Sequence, residues 1–316
     1  MEQFVFGIDI GGTAIKCGLF TKDGKLKEKW EIPTARAEAG EGVPQDIADT
    51  ISEKCREHGI TREQVLGVGL GVPGPVREDG FVSHCPNLGW REKNVNELME
   101  RLTGIPAAAA NDANVAALGE AWKGGAAGVK NMVLVTLGTG VGGGIIVEGK
   151  IVSGASGAGG ELGHMVMNPQ ESEACGCGGF GHLEQYASAT GIVRMARKRI
   201  AEAGSGSVLC GREELSAKDI FDAAKEGDTL AKELVNELGA VLARALSHVA
   251  AVVDPEVFVI GGGVSRAGSI LTEAIESHYN KGIMKALQGK AFRLATLGND
   301  AGIYGCAKLI LDRTAK

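Results

Sequence analysis

Apolar residues in this chain come in short runs that stop at glycine. Phe4 to Ile10 is one such run, interrupted by Asp9 and closed by Gly11-Gly12-Thr13, which predicts a buried strand ending in a sharp turn. The pattern resumes from Ile15 to Phe20, turns at Asp23-Gly24 and returns from Lys25 to Ile32 as a hairpin. Gly42 to His58 has helical spacing. Val65 to Leu70 is a strand running into Gly71-Val72-Pro73-Gly74-Pro75. Ala107 to Ala110 is another, followed by Asn111-Asp112 and the helix-prone stretch Ala113 to Trp122.

The opening order then repeats. Met132 to Leu137 predicts a strand, Gly138-Thr139-Gly140 a turn, Gly144 to Val147 a second strand, and Glu148-Gly149-Lys150 a hairpin turn, as in residues 4–25. An internal repeat of this kind predicts two related α/β lobes. Beyond a Gly- and Cys-rich stretch at 153–182, long helices are expected at about Leu183 to Ala203, Ser216 to Lys225 and Asp228 to Val253. Val257 to Ile260 reads as a strand meeting Gly261-Gly262-Gly263, with a helix from about Ala267. A final helix, Ala301 to Leu311, is placed to pack back on the first lobe.

Composition narrows the function. The 49 glycines are about twice the ~7% average usage, and they cluster where a backbone must turn or approach a ligand. Lys plus Arg (33) against Asp plus Glu (39) gives a net charge of −6 without a basic block, and aromatics are few, so no nucleic-acid partner is expected. No apolar run has transmembrane length, and MEQFVFGIDI is not a signal peptide, so the expected location is the cytoplasm with no membrane partner. Seven Cys contain one tight cluster, which is no disulfide framework and points to metal.

Three glycine turns, at residues 11–13, 138–140 and 261–263, each follow an apolar strand and can aim backbone N–H groups at phosphate oxygens. Any one could be a plain tight turn, whereas three together favour a nucleotide. The chain contains no Walker-type glycine-lysine loop. Gly138-x-Gly140-x-x-Gly143 matches the dinucleotide fingerprint, but it runs into a predicted strand where that fingerprint needs a helix. Asn111-Asp112 can be a helix cap or can present a carboxylate that takes a proton from an attacking hydroxyl; position alone favours the cap.

His164, Cys175, Cys177 and His182 supply two thiolates and two imidazoles within 19 residues, a closed set suited to structural Zn²⁺. Glycines 176, 178, 179 and 181 let the loop fold tightly around an ion. The alternative is two buried Cys with two incidental His.

Taken together, Asp9-Ile10-Gly11-Gly12-Thr13, Gly71-Val72-Pro73-Gly74-Pro75-Val76, Asn111-Asp112-Ala113-Asn114, Leu137 to Gly144, Glu161-Leu162-Gly163-His164 and Cys175-Gly176-Cys177-Gly178 resemble the ROK family. The resemblance covers essentially the whole chain, and Pro86-Asn87-Leu88-Gly89-Trp90 is most similar to the glucokinase branch. It implies an actin/hexokinase-like (ribonuclease H-like) α/β fold, two lobes around a cleft that closes on sugar and ATP. The smaller lobe is expected at 1–112 plus about 301–316, and the larger, with the zinc loop, at 113–300.

The resemblance also implies roles. Asp112 matches the general base; Gly74, Asn111, Asp112, Glu161, His164 and Glu184 match sugar-binding positions. Gly11, Gly12, Thr13, Gly138, Thr139 and Gly140 match phosphate loops, and Gly261 and Gly262 the adenosine end. Lys16 would assist at phosphate and Asp9 with hydrated Mg²⁺. The family usually has Cys where this sequence has His182. Imidazole serves zinc equally, although its donor stands farther from the backbone than sulfur, so the loop should differ locally.

The implied reaction is ATP-dependent phosphorylation of a hexose, with glucose first and fructose, N-acetylmannosamine, N-acetylglucosamine and allose as alternatives; a homodimer or homotetramer is expected. A sugar-binding repressor of the same family is the rival reading. It would need a helix-turn-helix before Asp9, where only eight residues stand. A zinc hydrolase would need an open metal position.

Overall fold

The computed structural model describes residues 2–35, 40–203 and 206–315. The chain divides into two compact units: residues 1–130 with 144–160 and 297–316, and residues 131–143 with 161–296.

The first unit is built on a five-stranded sheet. Strands β1 (Phe4–Ile10), β2 (Ala14–Thr21) and β3 (Leu26–Pro33) form an antiparallel meander, and β4 (Val65–Val72) and β7 (Ala107–Asn111) add in parallel, giving the order β3-β2-β1-β4-β7. β1 and β4 read as continuous apolar runs because both faces of the sheet are covered. α1 (Val43–Glu57) buries Val43, Ile47 and Ile51 among the apolar residues of β1, β2 and β4. A hairpin of β5 (Phe81–Cys85) and β6 (Trp90–Asn94) leads into α2 (Val95–Thr103), three elements absent from the expected order. β7 passes into α3 (Asp112–Lys123).

α3 and the last helix, α9 (Ala301–Thr314), lie against each other and against this sheet. Glycine makes that possible. A Cβ on Gly7 would stand 2.2 Å from the Ile303 carbonyl oxygen, on Gly69 1.8 Å from that of Cys306, and on Gly305 1.6 Å from that of Val115. Part of the glycine surplus therefore serves helix–sheet and helix–helix approach, in addition to the expected turns. α3 and α9 both pack in the first unit. Glu120 of α3 is fully buried; its carboxylate accepts N–H bonds from Gly125 (2.7 Å) and Leu297 (2.9 Å).

The second sheet repeats the first. β8 (Met132–Leu137), β9 (Val141–Val147) and β10 (Lys150–Ile151) are followed by β11 (Val257–Gly261) and β12 (Ala291–Leu294), in the order β10-β9-β8-β11-β12 with β8, β11 and β12 parallel. The predicted repeat is thus a duplicated topology, which is the actin/hexokinase-like arrangement. β9 includes Gly143, so the dinucleotide-like glycines do run into a strand. The helical layer comprises α4 (Glu184–Ala187), α5 (Ala189–Ala203), α6 (Ala217–Glu226), α7 (Thr229–Val253) and α8 (Ser269–Gly282).

Two helix expectations change. The segment expected as one helix over 183–203 breaks at Ser188, whose extended backbone (ψ 172°) ends α4. Its hydroxyl accepts from Gly191 N–H at 2.9 Å, capping α5. The helix expected from Ala267 begins instead at Ser269, after a 3₁₀ turn over Gly263–Ala267.

Candidate functional site

Strand ends of the first unit bring together its carboxylates and one glycine turn. Asp9, near the end of β1, is the cross-strand partner of Lys16 on β2. It fits there because Gly302 carries no side chain; a Cβ on that residue would lie 2.4 Å from Asp9 Oδ2. Burial, with Asp112 adding repulsion, pushes the Asp9 carboxyl up to about 6, and Lys16 pulls it partly back. The adjoining turn is pinned: Gly11 N–H donates to Ala14 O (3.1 Å), and the Thr34 hydroxyl donates to Gly11 O (2.7 Å). Lys16 Nζ donates to Asn299 O at 3.3 Å.

At the end of β7 one of the two adjacent polar residues takes the helix cap. Asn111 is the cap of α3, its side-chain oxygen accepting from Asn114 N–H at 3.0 Å. Asp112 is the first helical residue, so the cap expected at either position belongs to Asn111. The Asn111 amide donates to Asp112 Oδ1 (3.0 Å) and to Gly74 O (3.1 Å), and Ala113 N–H also donates to Asp112 Oδ1 (2.8 Å). Gly74, Asn111 and Asp112 are thereby one hydrogen-bonded group. Beneath them the buried Cys85 thiol donates to Pro73 O at 2.8 Å, a residue that sequence gave no reason to single out.

In the second unit, Gly138-Thr139-Gly140 follows β8. Gly138 N–H donates to Gly140 O (3.0 Å), and the start of α5 holds the turn, with Ala189 N–H donating to Gly138 O (2.8 Å) and Thr190 Oγ1 to Thr139 O (2.6 Å). A Cβ on Gly140 would stand 2.6 Å from Glu184 Oε2. Gly261 ends β11, and Gly262 adopts φ 81° with its Cα hydrogen facing the Leu137 backbone, where a Cβ would come within 2.5 Å. Gly262 and β8 therefore meet backbone to backbone. A cavity of about 290 Å³ opens beside Gly263, lined by Phe221, Lys225 and Arg266 among others.

The metal candidates assemble in this unit. One donor atom each from His164, Cys175, Cys177 and His182 lies within 4.8 Å of the others. The two Nδ1 atoms are 3.4 Å apart, and Cys177 Sγ is 3.2 Å from His182 Nδ1. A tetrahedral Zn²⁺ with nitrogen ligands at 2.0–2.1 Å sets two nitrogens about 3.3 Å apart, so two thiols and two imidazoles fit that ion. His182 turns in its nearer ring nitrogen, which shortens the reach that imidazole was expected to add. Gly179 admits the ring, since a Cβ there would be 2.4 Å from His182 Cε1. Burial pushes the Cys175 thiol up to about 12, and the thiol donates to Glu184 Oε1 at 2.7 Å. Metal binding has to release that proton. Glu161 and Glu184 flank His164, each with a carboxylate oxygen 4.0 Å from one of its ring nitrogens.

Among the described residues no helix is long and apolar enough to cross a membrane. Known proteins extend these observations. A glucokinase of Halalkalibacterium halodurans is 41% identical over 314 residues, covering 98% of this chain and 95% of its own. The crystal structure of a ROK hexokinase from Thermus thermophilus is 32% identical with a TM-score of 0.80, covering 99% of this chain and 100% of its own. A ROK family glucokinase from Streptomyces griseus, solved in complex with glucose and AMPPNP, is 31% identical with a TM-score of 0.73, covering 97% of this chain and 98% of its own. The ROK family model matches residues 5–313, and with these relatives spanning its full length the chain belongs to the ROK family.

Proposed function

We propose that this protein transfers the γ-phosphoryl group of ATP to a hexose, with glucose giving glucose 6-phosphate as the leading reaction. The observation that carries the reading is the Gly74–Asn111–Asp112 group at the end of β7, within a chain similar along its length to a glucokinase bound to glucose and AMPPNP. The sugar's primary hydroxyl attacks the γ-phosphorus in line and passes its proton to the Asp112 carboxylate, while the bond to ADP breaks. Such a transfer asks mainly for positioning and electrostatic stabilisation.

Gly74, Asn111, Glu161, His164 and Glu184 are the proposed sugar contacts. Backbone N–H groups of Gly11, Gly12, Thr13, Gly138, Thr139 and Gly140 take the phosphates with Lys16, and Gly261 and Gly262 border the adenosine. Asp9, a buried carboxylate with Lys16 as its cross-strand neighbour, is the proposed holder of hydrated Mg²⁺, which would supply charge compensation at the phosphates. Zn²⁺ on His164, Cys175, Cys177 and His182 would be structural, fixing the loop beside Glu161 and Glu184. A homodimer or homotetramer follows from family resemblance. The net charge of −6 supports the absence of a nucleic-acid partner.

The test is ADP release in a coupled assay with ATP and a panel of glucose, fructose, N-acetylmannosamine, N-acetylglucosamine and allose. Turnover with glucose above the others is expected. No ADP release with any hexose would sink the kinase reading and favour a sugar-binding regulator.

A further inference from the structure

All four metal candidates stand on short or irregular backbone. Cys175 and Cys177 lie in a loop, His164 ends a 3₁₀ turn (Leu162–His164) and His182 precedes α4. Two short backbone bridges join the donor segments, Val166 with His182 and Ala174 with Phe180. Around them, side-chain bonds converge on α5, where Arg194 is the cation that reaches both Glu171 and Glu173, and Lys198 also pairs with Glu173 (2.8 Å).

Arg194 donates to Glu171 Oε2 (2.9 Å) and to Glu173 Oε2 (2.7 Å), gripping the segment that leads into Cys175. Glu171 is fully engaged. Its Oε2 also accepts from the Tyr186 hydroxyl (2.7 Å), and its Oε1 accepts from the Ser172 and Glu173 N–H groups (3.1 Å each). The Arg194 guanidinium lies 5.2 Å from the Tyr186 ring centroid. Gln185 closes the frame: its amide donates to Glu173 O (2.9 Å), and its oxygen accepts from His182 N–H (3.0 Å). One side chain thus ties the segment before Cys175 to the backbone of His182. The Glu171 side chain is only 8% exposed and that of Arg194 23%, so the pair is partly shielded from solvent, unlike a typical surface ion pair.

We infer that Arg194, acting through Glu171 and Glu173, is a positioning residue that sets the geometry of the His164–Cys175–Cys177–His182 donors before any ion binds. The inference rests on the metal reading proposed above. Residues that orient ligands from outside typically govern metal affinity by 10–100-fold when replaced. The Arg194 fork serves two carboxylates at once, which a lysine cannot reproduce.

The experiment is Co²⁺ titration of metal-stripped protein, followed by thiolate-to-cobalt and d–d absorption and by competition with a chromophoric chelator. Wild type should give a tetrahedral spectrum with one Co²⁺ per chain. Arg194→Met should weaken binding about 10–100-fold, with Arg194→Lys recovering only part of the loss. Thermal unfolding of the stripped variants is run in parallel. A role confined to stability would lower the melting temperature and leave Co²⁺ affinity within twofold of wild type, and that result overturns the proposal. Should Arg194→Met fail to fold, Glu173→Gln, which removes one arm together with the Lys198 pair, should weaken Co²⁺ several-fold while Lys198→Met leaves it within twofold; unchanged affinity in Glu173→Gln, or an equal loss in Lys198→Met, overturns it too. Wild type that binds no Co²⁺ rejects the metal reading itself, and the positioning role with it.

Discussion

Asn111 holds Asp112. The Asn111 amide donates to Asp112 Oδ1 at 3.0 Å, while the Asn111 oxygen caps α3 through Asn114 N–H, also at 3.0 Å. The cap frees Asp112 from that duty and orients its carboxylate at the same time.

Asp112→Asn should therefore lower kcat by several orders of magnitude while sugar affinity, read by calorimetry, changes little. The cap survives this change, so the protein should fold normally. Near-normal turnover in a coupled assay would remove Asp112 as the base.

Asn111→Ala should act differently. Losing the cap costs about 1 kcal/mol of stability, visible in urea unfolding, and losing the amide removes its bond to Gly74 O and one of the bonds that orient Asp112 Oδ1, leaving that from Ala113 N–H. The sugar KM should rise along with a fall in kcat. A stability loss with unchanged kinetics would confine Asn111 to capping.

Asp9 gives a pH-dependent prediction. Its carboxyl, pushed up to about 6 by burial and Asp112, prefers its proton more in the folded chain than in the unfolded one. The unfolded chain releases that proton first, so wild type loses stability as pH rises from about 4 to about 6 and does not regain it above. Asp9→Asn should stabilise the ligand-free protein at pH 7.5 by up to about 3 kcal/mol, with the gain shrinking toward pH 5, and should abolish most activity. Equal urea midpoints for the two proteins at pH 7.5 would contradict the buried-charge account.

Gly262→Ala tests the backbone contact between the turn after β11 and Leu137. The residue has φ 81°, and its Cβ would meet Leu137 atoms at 2.5–2.7 Å. A loss of about 2 kcal/mol or more is expected, together with a higher KM for ATP. Calorimetric sugar affinity in the absence of nucleotide should be less affected.

His182 separates the metal reading from coincidence. His182→Ala leaves three donors and should purify with far less than one Zn²⁺ per chain, whereas His182→Cys should retain it. Full zinc by mass spectrometry in His182→Ala would exclude His182 as a ligand.

Much of this was legible in the chain itself. Apolar runs ending at glycine located β1, β4, β8 and β11, because strands covered on both faces leave a continuous apolar signal. The duplicated order of strands and turns showed as a repeat, and the metal donors showed because four Cys and His residues lie within a span too short for chance to explain comfortably. Those features are local, and local chemistry is written directly in sequence. The hairpin β5–β6 escaped because polar residues occupy its exposed positions, as in Ser83-His84 and Arg91-Glu92, whereas α2 has a local signal in Val95, Leu98, Met99 and Leu102 at helical spacing between Asn94 and Gly104.

Tertiary structure decided the rest. Only the folded chain shows that Asn111 takes the cap and Asp112 is the first helical residue, since both residues suit a cap by type. Only packing explains Gly7, Gly69 and Gly305, whose neighbours on α3 and α9 all lie more than a hundred residues away in the chain. The clamp of Arg194 on Glu171 and Glu173 was likewise invisible, because charged residues at these positions read as solvated surface until the loop folds back on α5. Sequence determined which chemical groups are present and in which local turn; which partner each group meets depends on contacts distant in the chain.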